Sequence, residues 1–163
     1  MLAFGAEIVA VGSRGERRLP IGSFFTGPFT TALGPGEILT EIRIPVPPPR
    51  SGGAYVKLER KVGDFATAAV AVQLTLGADG ACARAGIGLT SVGATAIKAE
   101  RAENALTGQR VDEAAVRRAA ELAAAASEPS DDLRGSAEYK LDLVRVLTGR
   151  ALRTALERAG RGR

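Results

Sequence analysis

The densest chemistry in this sequence lies in Lys57-Leu58-Glu59-Arg60-Lys61-Val62-Gly63-Asp64-Phe65. Residues 55–61 alternate: Tyr55, Lys57, Glu59 and Lys61 share one face of an extended chain, and Val56, Leu58 and Arg60 the other. Residues 66–76 are almost wholly small, apolar or β-branched. A Gly63-Asp64 turn between the two runs brings a lysine, a carboxylate and an aromatic ring to one end of a hairpin. Singly, Lys57 reads as a surface lysine, Asp64 as a turn residue and Phe65 as a corner plug. A hairpin explains the shape but not why these three groups meet.

Other candidates for chemistry are few. The sequence has no histidine and one cysteine, which excludes Ser-His-Asp and Cys-His catalysis and a Cys/His zinc site within it. Cys82 lies in a strand-like run and reads as a small buried hydrophobe rather than a nucleophile. Asp131-Asp132 could hold a cation, but adjacent acids before a helix more often cap it. Gly86-Ile87-Gly88 is a GxG inside a strand run, without the helix that dinucleotide binding requires. No residue reads as catalytic, and no metal ligand set stands out.

The 163 residues, 45% hydrophobic and 25% charged, suffice for one ordinary globular domain or one domain plus a fragment. The net charge of +4 is spread out. A mild cluster at Arg150, Arg153, Arg158, Arg161 and Arg163 carries no interleaved aromatics, so nucleic acid is not an expected partner. Neither a secretory signal nor a run of ~20 apolar residues is present, so no membrane span and a cytoplasmic location are expected.

These residues need elements to position them. Strands near 6–11 and 17–21 form a hairpin for which the sequence scarcely supplies partner strands. A short strand spans Ile38, Leu39, Ile42 and Ile44. Pro45 ends it, and stiff prolines followed by flexible glycines make a linker. Strands at 54–62, 66–77 and 81–91 follow, the last two joined by a tight turn. Three helices complete the pattern. Thr95 caps one that Gly108 ends, Asp112 caps the second, and the third begins near Ala137 with Leu141, Val144, Leu147, Ala151, Leu152 and Ala155 in a stripe. Arg134 and Glu138 are spaced to pair. The expected class is α+β, a three-stranded antiparallel sheet with three helices on one face.

Four stretches taken in order carry a more specific signal: "GPFTTALGPGEILTEIRIPVPPP", "AYVKLERKVGDFATAAVAVQLTL", "IGLTSVGATAIKAE" and "SDDLRGSAEYK". In order, spacing and wording they resemble the flavoprotein (medium) subunit of molybdenum hydroxylases, the xanthine oxidase family, and most of all its carbon monoxide dehydrogenase branch. The resemblance runs from about residue 4 to about residue 158. It implies a division into residues 1–46, the tail of an FAD-binding domain; 47–53, a linker; and 54–163, the family's C-terminal domain.

The resemblance also implies FAD as cofactor and electron relay as the role. Electrons would come from a [2Fe–2S] small subunit, fed by a molybdenum-cofactor large subunit, in a heterotrimer that dimerises. The aliphatic pair matching Ile38 and Leu39 lies against the isoalloxazine ring in the family, the lysine matching Lys57 sits at its polar edge, and the aromatic matching Phe65 lies near the opposite side. The Gly63-Asp64 turn would position the ring, which makes Asp64 a fifth cofactor-binding candidate. The carbon monoxide dehydrogenase branch has Tyr where Phe65 stands, so any hydrogen bond from that hydroxyl is absent here. Asp132, Arg134, Gly135, Glu138 and Tyr139 are expected in packing or subunit contact. The family's glycine-rich segments for the FAD diphosphate match nothing in the sequence, which implies an incomplete FAD domain. A docking module without flavin is the alternative expectation.

Overall fold

The computed structural model describes residues 1–161; Arg163 of the basic cluster lies outside them. The chain opens with a 3-10 turn at Leu2–Phe4, then strands β1 (Glu7–Gly12) and β2 (Gly15–Pro20). The short pair β3 (Phe25–Gly27) and β4 (Thr30–Thr31) leads to β5 (Ile38–Arg43). The hairpin is not partnerless: β5 pairs antiparallel with β1, giving a three-stranded sheet in the order β2-β1-β5. Leu2, Ala6, Ile8, Ile21 and Phe24 form its small core, with Leu39 packed against them.

The second unit is a sheet in the order β6-β7-β8-β9, built from β6 (Ser51–Leu58), β7 (Ala68–Leu76), β8 (Cys82–Thr90) and β9 (Ile97–Lys98). The three long strands are antiparallel as the sequence implies, and β9 adds a two-residue edge. Helices α1 (Glu100–Leu106), α2 (Glu113–Ala125) and α3 (Ala137–Arg161) follow. Val70, Leu74, Ile87, Leu89, Val116, Val144 and Leu152 are fully or almost fully buried in one aliphatic core between sheet and helices. The α+β class therefore stands. Among the described residues no helix is long and apolar enough to cross a membrane.

Two local expectations need correction. Gly52 and Gly53 are not flexible linker but part of β6. Gly52 is buried, and a Cβ there would meet the Ala155 carbonyl and lie 2.9 Å from Arg158 Cβ. Glycine lets this strand lie directly on α3. Thr95 does not cap α1, which starts at Glu100 after Ala99, because the chain first forms β9. Asp112 does cap α2, its Oδ1 accepting from Ala115 N at 2.8 Å.

Pleating gives the main sheet two distinct faces. Ala54, Val56 and Leu58 of β6 pack toward the helices. Tyr55 and Lys57 alternate to the other face, where the Leu2–Phe4 turn sits. There Gly86 and Gly88 make room for the turn: a Cβ on Gly86 would strike the Ala3 carbonyl, and one on Gly88 would lie 3.2 Å from Leu2 Cβ. Arg84 Nη2 donates to the Phe4 carbonyl at 3.0 Å. The GxG run therefore serves close backbone packing between the two units.

Candidate functional site

The corner between β6 and β7 gathers Lys57, Asp64 and Phe65, as the sequence implies. Gly63, at φ +85°, turns the chain. The Asp64 Oδ1 accepts from the Phe65 N–H at 2.8 Å, and the Asp64 carbonyl accepts from Lys57 Nζ at 3.3 Å. Lys57 also lies 2.5 Å from Glu59 in an ion pair. Glu59, then its general negative surroundings, push the Lys57 ammonium above its ordinary range, so it stays charged at any physiological pH. The Phe65 N–H and then the Arg134 guanidinium hold the Asp64 carboxyl below its usual range. Phe65 itself is 81% exposed, so it is no corner plug but an apolar ring presented to the outside.

Arg134 departs from the pairing that its spacing predicts. It does not pair with Glu138. Its Nη2 reaches Asp64 Oδ1 at 3.2 Å, 70 residues away in sequence, and its guanidinium lies 5.9 Å from the Phe65 ring centroid. No local spacing rule connects those positions. Phe65 and Arg134 border a cleft of about 430 Å³ whose wall includes Ser91, Asp132 and Lys140.

Ile38 and Leu39 lie in the other sheet and divide their roles. Leu39 packs inward, whereas Ile38 is 69% exposed on the strand surface beside Val11. No hydrogen bond or ion pair among the described residues links this pair to Lys57. Lys57 lies on the side of the main sheet that carries the Leu2–Phe4 turn. Arg17 and Glu37, which sequence reasoning also missed, fix the start of β5. Arg17 binds both Glu37 oxygens at 2.7 Å, and Glu37 Oε2 also accepts from Gly34 N. The only sequence signal was an acid closing a Gly-Pro-Gly turn opposite a basic hairpin.

Arg17, with the Gly34 N–H second, holds Glu37 down to about 2 from an ordinary 4.5. A depressed carboxylate stabilises the fold fully above its unfolded value and ceases to do so as pH falls through its folded one. Exchange protection of the Gly34 amide is therefore expected to hold at neutral pH and disappear between about 4.5 and about 2. Glu37→Gln should abolish that pH step.

The remaining candidates resolve as structure. Asp131 Oδ1 accepts from Ala137 N at 2.6 Å and caps α3. Asp132 pairs with Lys140 at 2.8 Å. Cys82 is buried, and burial pushes its thiol up. Each helix start carries acid: Glu100 and Glu103 in α1, Asp112 and Glu113 in α2, Asp131 and Glu138 in α3. Helix N-termini favour phosphate through free N–H groups and a positive dipole end, and acidic caps oppose that. Away from the helix starts, Ile38 and Phe65 expose apolar surface and Lys57 supplies a charge.

Comparison with known proteins covers nearly the whole chain. Residues 53–155 match the family model of the CO dehydrogenase flavoprotein C-terminal domain, and residues 1–47 that of the FAD binding domain in molybdopterin dehydrogenase. The carbon monoxide dehydrogenase medium chain of Afipia carboxidovorans is 45% identical over 98% of this chain and 55% of its own length. The 6-hydroxypseudooxynicotine dehydrogenase complex subunit alpha of Paenarthrobacter nicotinovorans is 33% identical over 98% of this chain and 54% of its own. A solved structure of reconstituted CO dehydrogenase from Oligotropha carboxidovorans superposes with a TM-score of 0.92 at 44% identity, covering 97% of this chain and 55% of that one. The chain spans about half the length of these relatives. By sequence, by fold and by the order of its two units, it belongs to the CO dehydrogenase flavoprotein family.

Proposed function

We propose that the chain forms the flavin-edge half of an FAD-binding electron-transfer subunit of a molybdenum hydroxylase. The observation that carries this is the meeting of a permanently charged Lys57 with an outward-facing Phe65 at one corner, beside a unit that exposes Ile38. Residues 1–46 would be the end of the FAD-binding domain and 54–163 the C-terminal domain. The connector 47–53 would lie between them, its last residues already in β6. The acidic helix starts favour a diphosphate held by polypeptide other than these residues.

When bound, FAD supplies a centre that takes up single electrons in turn and passes them on in pairs. This chain's residues do the rest. Ile38 provides an apolar wall that excludes water from one ring face, and Leu39, packed inward, holds the strand that carries it. Lys57 holds a positive charge at the polar edge, and Asp64 fixes that lysine through its carbonyl. The partners would be a [2Fe–2S] small subunit and a molybdenum-cofactor large subunit, in a cytoplasmic complex that dimerises. The substrate would be set by the large subunit, consistent with the different substrate names of the relatives.

Lys57→Met tests the assignment. In flavin-loaded protein, losing the charge should move the flavin potential negative, by about 30 mV for each ~1.4 kcal/mol lost in a two-electron couple. An unmoved potential would place Lys57 away from the ring. The rival reading, a docking module without flavin, is favoured by the absence of a phosphate cradle among the described residues. It requires a colourless chain that still assembles with both partner subunits.

A further inference from the structure

We propose that Arg134 is a positioning residue that latches the 59–67 loop to the start of α3, and so holds Lys57 and Phe65 where a flavin edge would meet them. The final clause rests on the function proposed above; the latch rests on contacts alone.

The loop has little else to fix it. None of residues 59–66 is buried, and Val62 is 96% exposed. Segments without buried apolar contacts open at low free energy. The neck is closed by the Thr67 N–H donating to the Leu58 carbonyl at 2.8 Å. Beyond the neck and the contacts that Lys57 of the adjoining strand makes with Glu59 and the Asp64 carbonyl, the tie to a distant element is Arg134. It pairs with Asp64 at 3.2 Å and lies over the Phe65 ring at 5.9 Å. Asp64 passes the restraint on, through its side chain to the Phe65 backbone and through its carbonyl to Lys57. One guanidinium therefore restrains both groups, the ring directly and the lysine through one residue.

Arg134 is itself well anchored. Its N–H donates to Asp132 Oδ1 at 2.8 Å, and Asp132 Oδ2 pairs with Lys140 at 2.8 Å. Lys140, in the first turn of α3, is only 3% exposed, and it also donates to the Ser130 carbonyl at 2.7 Å. A buried ammonium needs its partners, so Lys140 pins Asp132 and with it the Arg134 backbone. Arg134 Nε is buried without a hydrogen-bond partner. The side chain's hold on the loop therefore consists of its Asp64 and Phe65 contacts, and a neutral replacement removes both.

Limited trypsin digestion of the full chain tests the latch, because Arg60 and Lys61 lie within the loop. In Arg134→Gln, cleavage at those two bonds should rise about tenfold, the combined effect of one ion pair and one cation–π contact. The thermal midpoint and cleavage elsewhere should stay close to the parent. Arg134→Lys, which keeps the charge but loses the planar fork, should fall between. Adding Asp64→Asn to Arg134→Gln should add little, because the contact with Arg134 is already gone and the remaining Arg60–Asp64 pair lies within the loop. Unchanged cleavage at Arg60 and Lys61 in Arg134→Gln would overturn the latch, as would an increase shared by the whole chain. In flavin-loaded protein, Arg134→Gln should shift the potential in the same direction as Lys57→Met. A faster-cut loop with an unmoved potential would keep the latch and overturn the flavin assignment of this corner.

Discussion

Replacing Gly52 by alanine should destabilise the chain by about 3 kcal/mol, the range for forcing an atom into a packed interior. The residue is in regular strand, so the cost is not conformational. The added Cβ would press on the Ala155 carbonyl and Ala159 nitrogen, which are helix backbone and cannot rotate away. Either β6 must lift off α3 or the last turns of the helix must move. Both routes open the core around Ala54, Leu152 and Ala155. Gly53→Ala is the natural control. Its Cβ would meet mainly the Gln73 side chain, whose flexible end can swing aside, so a change below about 1 kcal/mol is expected. Equal urea midpoints for the two variants would show that β6 and α3 are not in backbone contact.

Gly86→Ala should have the second largest effect, and a more local one. Its Cβ would collide with the Ala3 carbonyl and lie 2.8 Å from Ala3 C. The Leu2–Phe4 turn must then rise from β8 and lose the Arg84 hydrogen bond to the Phe4 carbonyl. We expect a loss of about 2 kcal/mol, with exchange protection falling in Leu2–Phe4 and β1 while β7 and α3 keep theirs. The functional consequence is larger than the stability change. Ile38 and Leu39 ride on the unit that this turn anchors, whereas Lys57 belongs to the sheet beneath. Flavin affinity should therefore fall at least about tenfold, which corresponds to ~1.4 kcal/mol. Unaltered affinity in a variant with an undocked N-terminal unit would remove Ile38 and Leu39 from the flavin site.

Much of this was legible in the sequence because it is governed by local rules. Alternation from residue 55 and the apolar run after Phe65 marked β6 and β7, although β6 ends at Leu58 and the rest of the expected strand 54–62 is loop, and Asp112 before an amphipathic run marked the start of α2. The apolar stripe from Leu141 to Ala155 marked α3. What was not legible depends on distant neighbours. The pairing of β5 with β1 joins segments about 30 residues apart, and strand partners are not encoded in either strand alone. Gly52 and Gly86 read as linker and weak motif, because close packing against a helix or turn leaves no local pattern. Ile38 reads most simply as part of a short strand and Phe65 as a corner plug. Their exposure emerges only in three dimensions, and it is this exposure that makes them candidates for a ligand. Arg134 escaped because its partner lies across the fold.

The most direct test of the account is the visible absorption spectrum of the purified chain after incubation with FAD. It is recorded first alone and then with a polypeptide supplying the glycine-rich half of the relatives' length. Flavin absorbance is expected to be retained only in the second case, and to be lost again with Lys57→Met and Ile38→Lys together. A colourless protein in both cases would contradict it and leave subunit docking as the function of the chain.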